Sequence, residues 1–111
     1  MSHIISIFIP GNIQPIERGE RFSDPLQAAL ERENLGEVFE EGTHLETVGD
    51  RQVVKGCQLE IEVKNLRKGL AIIEKILQEG NAPAETKITV EGKGEPQVFK
   101  LEDLSNKPSD L

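Results

Sequence analysis

The clearest alternation of apolar and polar residues lies between residues 53 and 63. Every second position of this run is occupied by Val53, Lys55, Cys57, Leu59, Ile61 and Val63, which apart from Lys55 are apolar. The positions between them are mostly polar and include Gln58, Glu60 and Glu62. A period of two with one apolar face predicts an amphipathic strand of an antiparallel sheet.

A first strand is predicted over residues 4–9, where β-branched residues are followed by Pro10-Gly11. Ile5, Ile7 and Ile9 lie on one of its faces, and Ile4 and Phe8 on the other. Apolar side chains on both faces indicate a strand in the interior of a sheet.

Two helices are predicted. The first begins at Asp24-Pro25, since proline fits the first helical position, and ends at Asn34-Leu35-Gly36. The second begins after Asn65, a good N-cap, and ends at Gly80-Asn81. Its apolar residues recur at helical spacing and are Leu66, Leu70, Ile73, Ile76 and Leu77. Residues 11–23 show no clear period and are predicted to be a long connection.

Further strands are predicted over residues 37–48 and 87–91, and residues 97–101 could add an edge strand. The order strand, helix, strand, strand, helix, strand predicts an α+β fold, a ferredoxin-like βαββαβ sandwich with an antiparallel sheet and two helices on one face. The first and third strands would be central. A single domain would span residues 1–101, followed by a disordered tail over 102–111.

Size and composition fit a globular domain. The chain has 111 residues, 36% of them hydrophobic and 30% charged, enough for one core. Its single cysteine excludes an intramolecular disulfide, and its N-terminal apolar run of about six residues is too short for a signal peptide or a membrane span. A cytoplasmic location is therefore expected.

The negative net charge of the chain limits the classes of molecule that it is expected to bind. There are 20 acidic residues against 13 basic ones, for a formal net charge of −7. The basic residues are scattered, whereas nucleic-acid-binding domains cluster them, so neither nucleic acid nor an anionic membrane is an expected partner. A basic protein patch or a cationic ligand fits this charge better.

Part of the first half of the chain resembles a known group. The stretch Pro15-Ile16-Glu17-Arg18-Gly19-Glu20-Arg21-Phe22, followed by Asp24-Pro25-Leu26 and Leu35-Gly36-Glu37-Val38, is similar to small uncharacterised bacterial proteins. The resemblance implies a bacterial, cytoplasmic, free-standing domain. It implies no activity and no catalytic residue.

The connection over residues 11–23 is a candidate ligand site, because compact domains seldom keep long loops without a use for them. Arg18 and Arg21, with Glu17 beside them, could hold the carboxylate or phosphate of a small anionic metabolite. The alternative, which we favour, is that both arginines pair with neighbouring glutamates and fasten the loop to the sheet.

Enzymatic chemistry has less support. Residues 11–16 are superficially similar to the phosphate cradle of acylphosphatase, but Pro15 removes an N–H donor and Glu17 adds negative charge. Cys57 falls in an apolar register, which predicts a buried structural thiol, and His3 and His44 lack zinc-ligand spacing. We predict no catalytic residue, metal or cofactor, and a hydrolase of unknown substrate is the last of three alternatives.

The uncovered face of the predicted sheet is the remaining candidate. Ile4, Phe8 and Val54 would place apolar side chains on it, and Glu60 and Glu62 would add carboxylates. Exposed apolar groups on a sheet commonly mark an interaction surface. The first prediction for function is therefore a small acidic binding or regulatory module that acts through protein–protein contact and could form a homodimer.

Overall fold

A computed structural model describes residues 2–92 and 94–106 of the chain. The strands are β1 (His3–Pro10), β2 (Gly36–Val48), β3 (Arg51–Val63), β4 (Lys87–Val90) and β5 (Gln97–Lys100). The α-helices are α1 (Pro15–Arg18), α2 (Asp24–Arg32) and α3 (Leu66–Glu79). A π-helical segment (Gly19–Ser23) joins α1 to α2, and a 3-10 helix (Leu101–Asn106) follows β5.

The five strands form one sheet in the order β2-β3-β1-β4-β5, and every neighbouring pair is antiparallel. The predicted α+β class is confirmed. β1 and β3 lie next to each other inside the sheet, in agreement with the apolar runs from which they were predicted.

One face of the sheet forms the core. Ile5, Ile7 and Ile9 of β1 are fully buried, and they lie in register with Ile61, Leu59 and Cys57 of β3. The helices add buried side chains to the same cluster, including Leu26, Leu30, Leu70, Ile73 and Leu77. Aliphatic packing therefore supplies most of the core, in a chain that has four phenylalanines and neither tryptophan nor tyrosine.

The opposite face, which we call the open face, carries the alternate residues of each strand. Ile4, Ser6 and Phe8 of β1 are only half-buried. Because directly paired residues of antiparallel strands point to the same side, the partners of β1 on β3 also belong to the open face. They are Glu62, Glu60 and Gln58.

The β2–β3 hairpin extends past the rest of the sheet. Each of its strands has 13 residues, but β1 pairs with β3 only as far as Gly56. Residues 51–54 therefore pair with β2 alone, and the Lys55 carbonyl accepts a hydrogen bond from the Gly11 backbone N–H at 2.9 Å. The end of the hairpin exposes Leu45, Val48 and Val53. Two register irregularities, between Val38 and Glu40 and between His44 and Leu45, interrupt the pairing of β2.

The connection predicted over residues 11–23 is largely helical. Pro15 begins α1, and the backbone N–H of Asp24 reaches the carbonyl of Gly19 across the π-helical segment. Phe22 of this segment is fully buried. A π-helical turn shifts the helical repeat, so the buried positions do not recur at 3.6-residue spacing and the sequence shows no period.

Both ends of the second predicted helix agree with the structure. Asn65 Oδ1 accepts a hydrogen bond from the Lys68 backbone N–H at 2.9 Å, and the helix ends at Gly80. The segment predicted as a disordered tail from residue 102 begins with the 3-10 helix, in which Leu104 is fully buried. Residues 107–111 of that predicted tail lie outside the described residues.

Candidate functional site on the open face

The β2–β3 half of the open face is acidic. Glu37 lies directly opposite Glu62, and Glu40 lies directly opposite Glu60. Like charges in direct cross-strand register destabilise a sheet. Two such pairs in succession indicate a surface that gains stability when a positive group covers it.

A row of hydrogen bonds crosses this half of the face. Glu60 accepts from the Ser6 hydroxyl and from the Gln58 amide nitrogen, the latter at 2.8 Å. Because that nitrogen donates to Glu60, the Gln58 amide oxygen accepts from His44 Nε2 at 2.5 Å. The His44 ring in turn meets the Phe8 ring edge-on, with 5.0 Å between centroids. These hydrogen bonds and the ring contact fix the orientation of the Glu60 and His44 side chains in the unbound protein.

A cleft opens where β2 lacks a side chain. An ideal Cβ at Gly42 meets nothing within 4 Å. The resulting cavity of about 240 Å³, which we call the acidic cleft, is lined by Glu40, Glu41, Gly42, Thr43, His44, Gln58 and Glu60. Glu40 and Glu60 place their carboxylates on the open face, whereas Glu41 lies opposite Leu59 on the core face and is paired with Arg18. The two open-face carboxylates make the cleft suitable for a positively charged group.

The β4–β5 half of the open face has the opposite charge. Lys87 and Lys100 are paired directly across these two strands, and both are exposed. The next pair on the same face is Thr89 with Val98, and Val98 is 58% exposed. The two lysines therefore repel each other, as the paired glutamates of β2 and β3 do.

Of the predicted interaction residues, Ile4, Phe8, Glu60 and Glu62 share the open face. Val54 lies on the projecting part of the hairpin, opposite Leu45. The interaction surface itself stays a prediction.

The sequence predicts carboxylates of two neighbouring strands on one sheet face, but it shows neither the cleft at Gly42 nor the two lysines of the open face. Alternation in residues 87–90 could have placed Lys87 on the open side, since Ile88 and Val90 are the apolar positions. The partner of Lys87 on β5 depends on strand register, which the sequence pattern does not specify.

Arg18 and Arg21, the predicted anion-binding pair, hold different elements. Arg18 Nε bonds Glu41 and its Nη1 bonds Thr43, both at 2.9 Å, which ties α1 to β2. The Arg18 side chain is only 12% exposed. Its visible role is to fasten the helical segment to the edge of the sheet.

Arg21 fastens the same segment to α3. Its guanidinium donates to the Gly80 carbonyl at 2.7 and 2.9 Å and pairs with Glu17 at 2.5 Å. Positive charge at the carboxyl end of a helix is favourable. A cavity of about 430 Å³ lies beside it, but Glu20 and Glu79 also line that cavity. Anion binding at Glu17, Arg18 and Arg21 stays a prediction.

Cys57 is fully buried within the core face of β3. Burial raises the pKa of the thiol to about 11, although the nearby Arg18 and Arg21 act to lower it. A reactive thiolate needs the opposite shift and solvent access. The structure therefore gives this side chain a packing role.

We expect Cys57 to make stability fall as the pH rises from 9 to 11. The unfolded thiol, with an ordinary pKa of 9.0, loses its proton in this interval before the folded one does. Urea denaturation of the wild type and of Cys57→Ala, measured at pH 8 and pH 10.5, tests this. The wild type should lose more stability than the variant between the two pH values, and equal losses would contradict the expectation.

Metal-binding clusters and membrane-spanning helices are both missing from the described part of the chain. No three or more of its histidine, cysteine, aspartate or glutamate side chains are grouped so that they could hold a metal ion. In residues 2–92 and 94–106, no helix has both the length and the hydropathy required to cross a bilayer.

Comparisons with known proteins show the fold. No family model matches the chain, and no curated protein matches it. The chain is similar to a solved structure of a phage SAM lyase in complex with S-methyl-5'-thioadenosine, with a TM-score of 0.51, 11% identity and 89% of each chain covered. It is more loosely similar to a de novo designed protein with a ferredoxin fold, with a TM-score of 0.40, 13% identity, and 86% and 87% of the two chains covered. At 11% identity the first likeness concerns the fold alone.

Proposed function

We propose that the protein is a binding module that acts as a homodimer, joined through the open faces of two ferredoxin-like sheets with α2 and α3 on the core side. The observation that carries this proposal is the division of the open face into an acidic half on β2 and β3 and a basic half on β4 and β5. The apolar side chains of Ile4 and Phe8 lie on the strand between them.

A two-fold axis parallel to β1 makes this face complementary to itself. Such an axis places β2 and β3 of one copy over β5 and β4 of the other, so that each acidic half meets a basic half. Dimers with two-fold symmetry use the same patch on both subunits, which requires this kind of self-complementarity. Central apolar residues with a charged surround also match the usual anatomy of an interface.

The register of the strands gives the contact in more detail. One row of directly paired residues crosses all five strands, and it consists of Gly42, Gln58, Phe8, Lys87 and Lys100. Lys100 lies two strands from β1 on one side, and Gly42 lies two strands from β1 on the other. Rotation about β1 therefore brings Lys100 of the second copy over Gly42, at the mouth of the acidic cleft.

The size of the face sets the expected strength. Three strands with about seven usable residues and two with four residues, at a spacing of about 4.8 Å and a rise of about 3.3 Å per residue, give an area on the order of 450 Å² per copy. Stable interfaces bury about 800 Å² per partner. The proposal therefore predicts a weak dimer, with a dissociation constant in the micromolar range and a strong dependence on salt.

Charge exchange between two variants tests this arrangement. Sedimentation equilibrium of Lys100→Glu alone and of Glu40→Lys alone is expected to show monomers, because each variant places like charges at both contacts. An equimolar mixture of the two is expected to dimerise. In the mixed dimer, the new glutamate at position 100 of one variant meets the new lysine at position 40 of the other. The second contact joins the unchanged Glu40 and Lys100, so both contacts are attractive. Recovery in the mixture is specific to this geometry.

Arg51→Glu is the matched control. It makes the same change in net charge as Lys100→Glu at an exposed position of the projecting hairpin, outside the rows that β1 pairs with. It should leave the dissociation constant within about twofold of the wild type. A wild type that stays monomeric at high micromolar concentration and low salt would overturn the proposal, as would a dimer that both single variants leave intact.

The other predicted functions have weaker support. A small anionic metabolite at Glu17, Arg18 and Arg21 would compete with the protein groups that these arginines already hold. The lyase of similar fold binds S-methyl-5'-thioadenosine, but one fold supports many activities, so its chemistry is not carried over. A hydrolase of unknown substrate has no described group of residues in its favour.

A further inference from the structure

The helical layer, on the far side of the core from the open face, contains a groove between α2 and α3. Its volume is about 750 Å³, the largest of the cavities described for residues 2–92 and 94–106. The apolar side chains that line it include Ala28, Ala29, Leu35, Ala71, Ile72 and Ile76. Alanines at the middle of both helices leave room for another element to approach the helix backbones.

Basic residues surround this groove although the protein as a whole is acidic. Arg32, Lys68 and Lys75 line it and are exposed. None of the three makes an ion pair within the part of the chain that the structure describes. Two carboxylates, Glu33 and Glu79, also line the groove, at the carboxyl ends of α2 and α3. The middle of the groove is therefore apolar with a positive rim.

From these features we propose that the groove binds an acidic amphipathic helix of a partner protein. An apolar stripe on that helix would contact the alanines and Ile72, and its carboxylates would meet Arg32, Lys68 and Lys75. At a rise of 1.5 Å per residue, α3 with its 14 residues is about 21 Å long. A partner helix of three to four turns matches this length, and such helix-in-groove binding is a common recognition mode.

The groove is independent of the proposed dimer. It lies on the helices, and the dimer would use the open face of the sheet. A dimer joined through its sheets would present two grooves on its outer surfaces and could bind two partner helices at once.

A labelled peptide tests the proposal. The probe is an amidated helical peptide of about 14 residues, with leucines at i, i+3, i+4 and i+7 spacing and glutamates on the remaining faces. Fluorescence anisotropy is expected to show a dissociation constant of about 10–100 μM at low salt. The same peptide with every glutamate replaced by lysine is expected not to bind.

Two double variants locate the site. Lys68→Glu with Lys75→Glu is expected to weaken binding about tenfold or more, because two favourable charge contacts become repulsive. Arg51→Glu with Lys55→Glu makes the same change in net charge on the hairpin and should bind like the wild type. The monomeric Lys100→Glu variant should also bind like the wild type, so a failure of the dimer proposal does not affect this result.

Several outcomes would overturn the inference. The peptide could fail to bind up to about 1 mM, or bind both double variants equally, or bind no better than its lysine counterpart. Loss of self-association in the Lys68→Glu, Lys75→Glu variant would instead identify a second copy of the chain as the occupant. Saturation of the groove by dodecanoate without any peptide binding would identify a small anionic amphiphile.

Discussion

Replacement of Phe22 by alanine is expected to lower the free energy of unfolding by about 3–5 kcal/mol. The Phe22 ring is fully buried. It packs directly against Gly80 at the end of α3, since a Cβ added to Gly80 would lie only 2.6 Å from a ring carbon. The Arg21 guanidinium lies 4.8 Å from the centre of the same ring. Truncation therefore removes apolar contacts and leaves a cavity under the π-helical segment.

Equilibrium urea denaturation measures this effect, and Ile16→Ala is the matched control. Ile16 belongs to the adjacent helix α1 but is 78% exposed. Its truncation should change stability by no more than about 0.5 kcal/mol. Similar losses for the two variants would show that Phe22 does not anchor the segment to the core.

This segment also shows where sequence reasoning reached its limit. Phe22 is the side chain that fixes residues 19–23 against the core, yet it stands alone among charged neighbours. A single anchoring residue produces no period, so pattern analysis predicts a loop. Arg21 pairs with the neighbouring Glu17, the kind of pairing that the sequence favours. Its contact with Gly80 and the contact of Arg18 with Glu41 join residues that are distant in sequence, so they depend on tertiary structure.

Elements with sustained periodicity were predicted correctly. In β3 the apolar residues from Cys57 to Val63 are all buried, and α3 begins at its predicted cap, Asn65. Lys55 falls in the same apolar register but is exposed, because it lies past the end of the β1–β3 pairing and is skipped in the pairing with β2. The sequence pattern therefore predicts where a strand runs, but it does not predict how many neighbouring strands pair with each part of it.

The candidate site was predictable only in part. Alternation placed Glu60 and Glu62 on the polar face of β3, and the structure places them opposite Glu40 and Glu37. Which residues lie opposite one another depends on register and on the irregularities in the β2–β3 pairing. The division of charge between the two halves of the sheet was for that reason invisible in the sequence.

Replacement of Gly36 by alanine is expected to cost about 3 kcal/mol or more. A Cβ at this position would lie 1.9 Å from the backbone carbonyl oxygen of Glu62, and 3.0 Å from Val63 Cα. Backbone atoms cannot rotate away as a flexible side chain can. The start of β2 would have to separate from β3, with loss of sheet hydrogen bonds and exposure of the core beside Leu35.

Gly42→Ala is the control for this prediction, since it is the same substitution in the same strand. Nothing lies within 4 Å of the position that its added methyl group would occupy, so its stability should stay within about 0.5 kcal/mol of the wild type. Urea denaturation should be carried out at a protein concentration where the monomer predominates. Equal stability of Gly36→Ala and Gly42→Ala would mean that β2 can move away from β3 at little cost.

The long β2–β3 hairpin has a consequence for the order in which the chain folds. Its two strands are joined by a short turn at Gly49-Asp50, so they can pair without closing a long loop. β1 must instead be inserted between β3 and β4, whose residues are far from it in sequence. Contacts of that kind form slowly. Substitutions within the hairpin should therefore change mainly the rate of folding, and substitutions at the β1–β4 pair mainly the rate of unfolding.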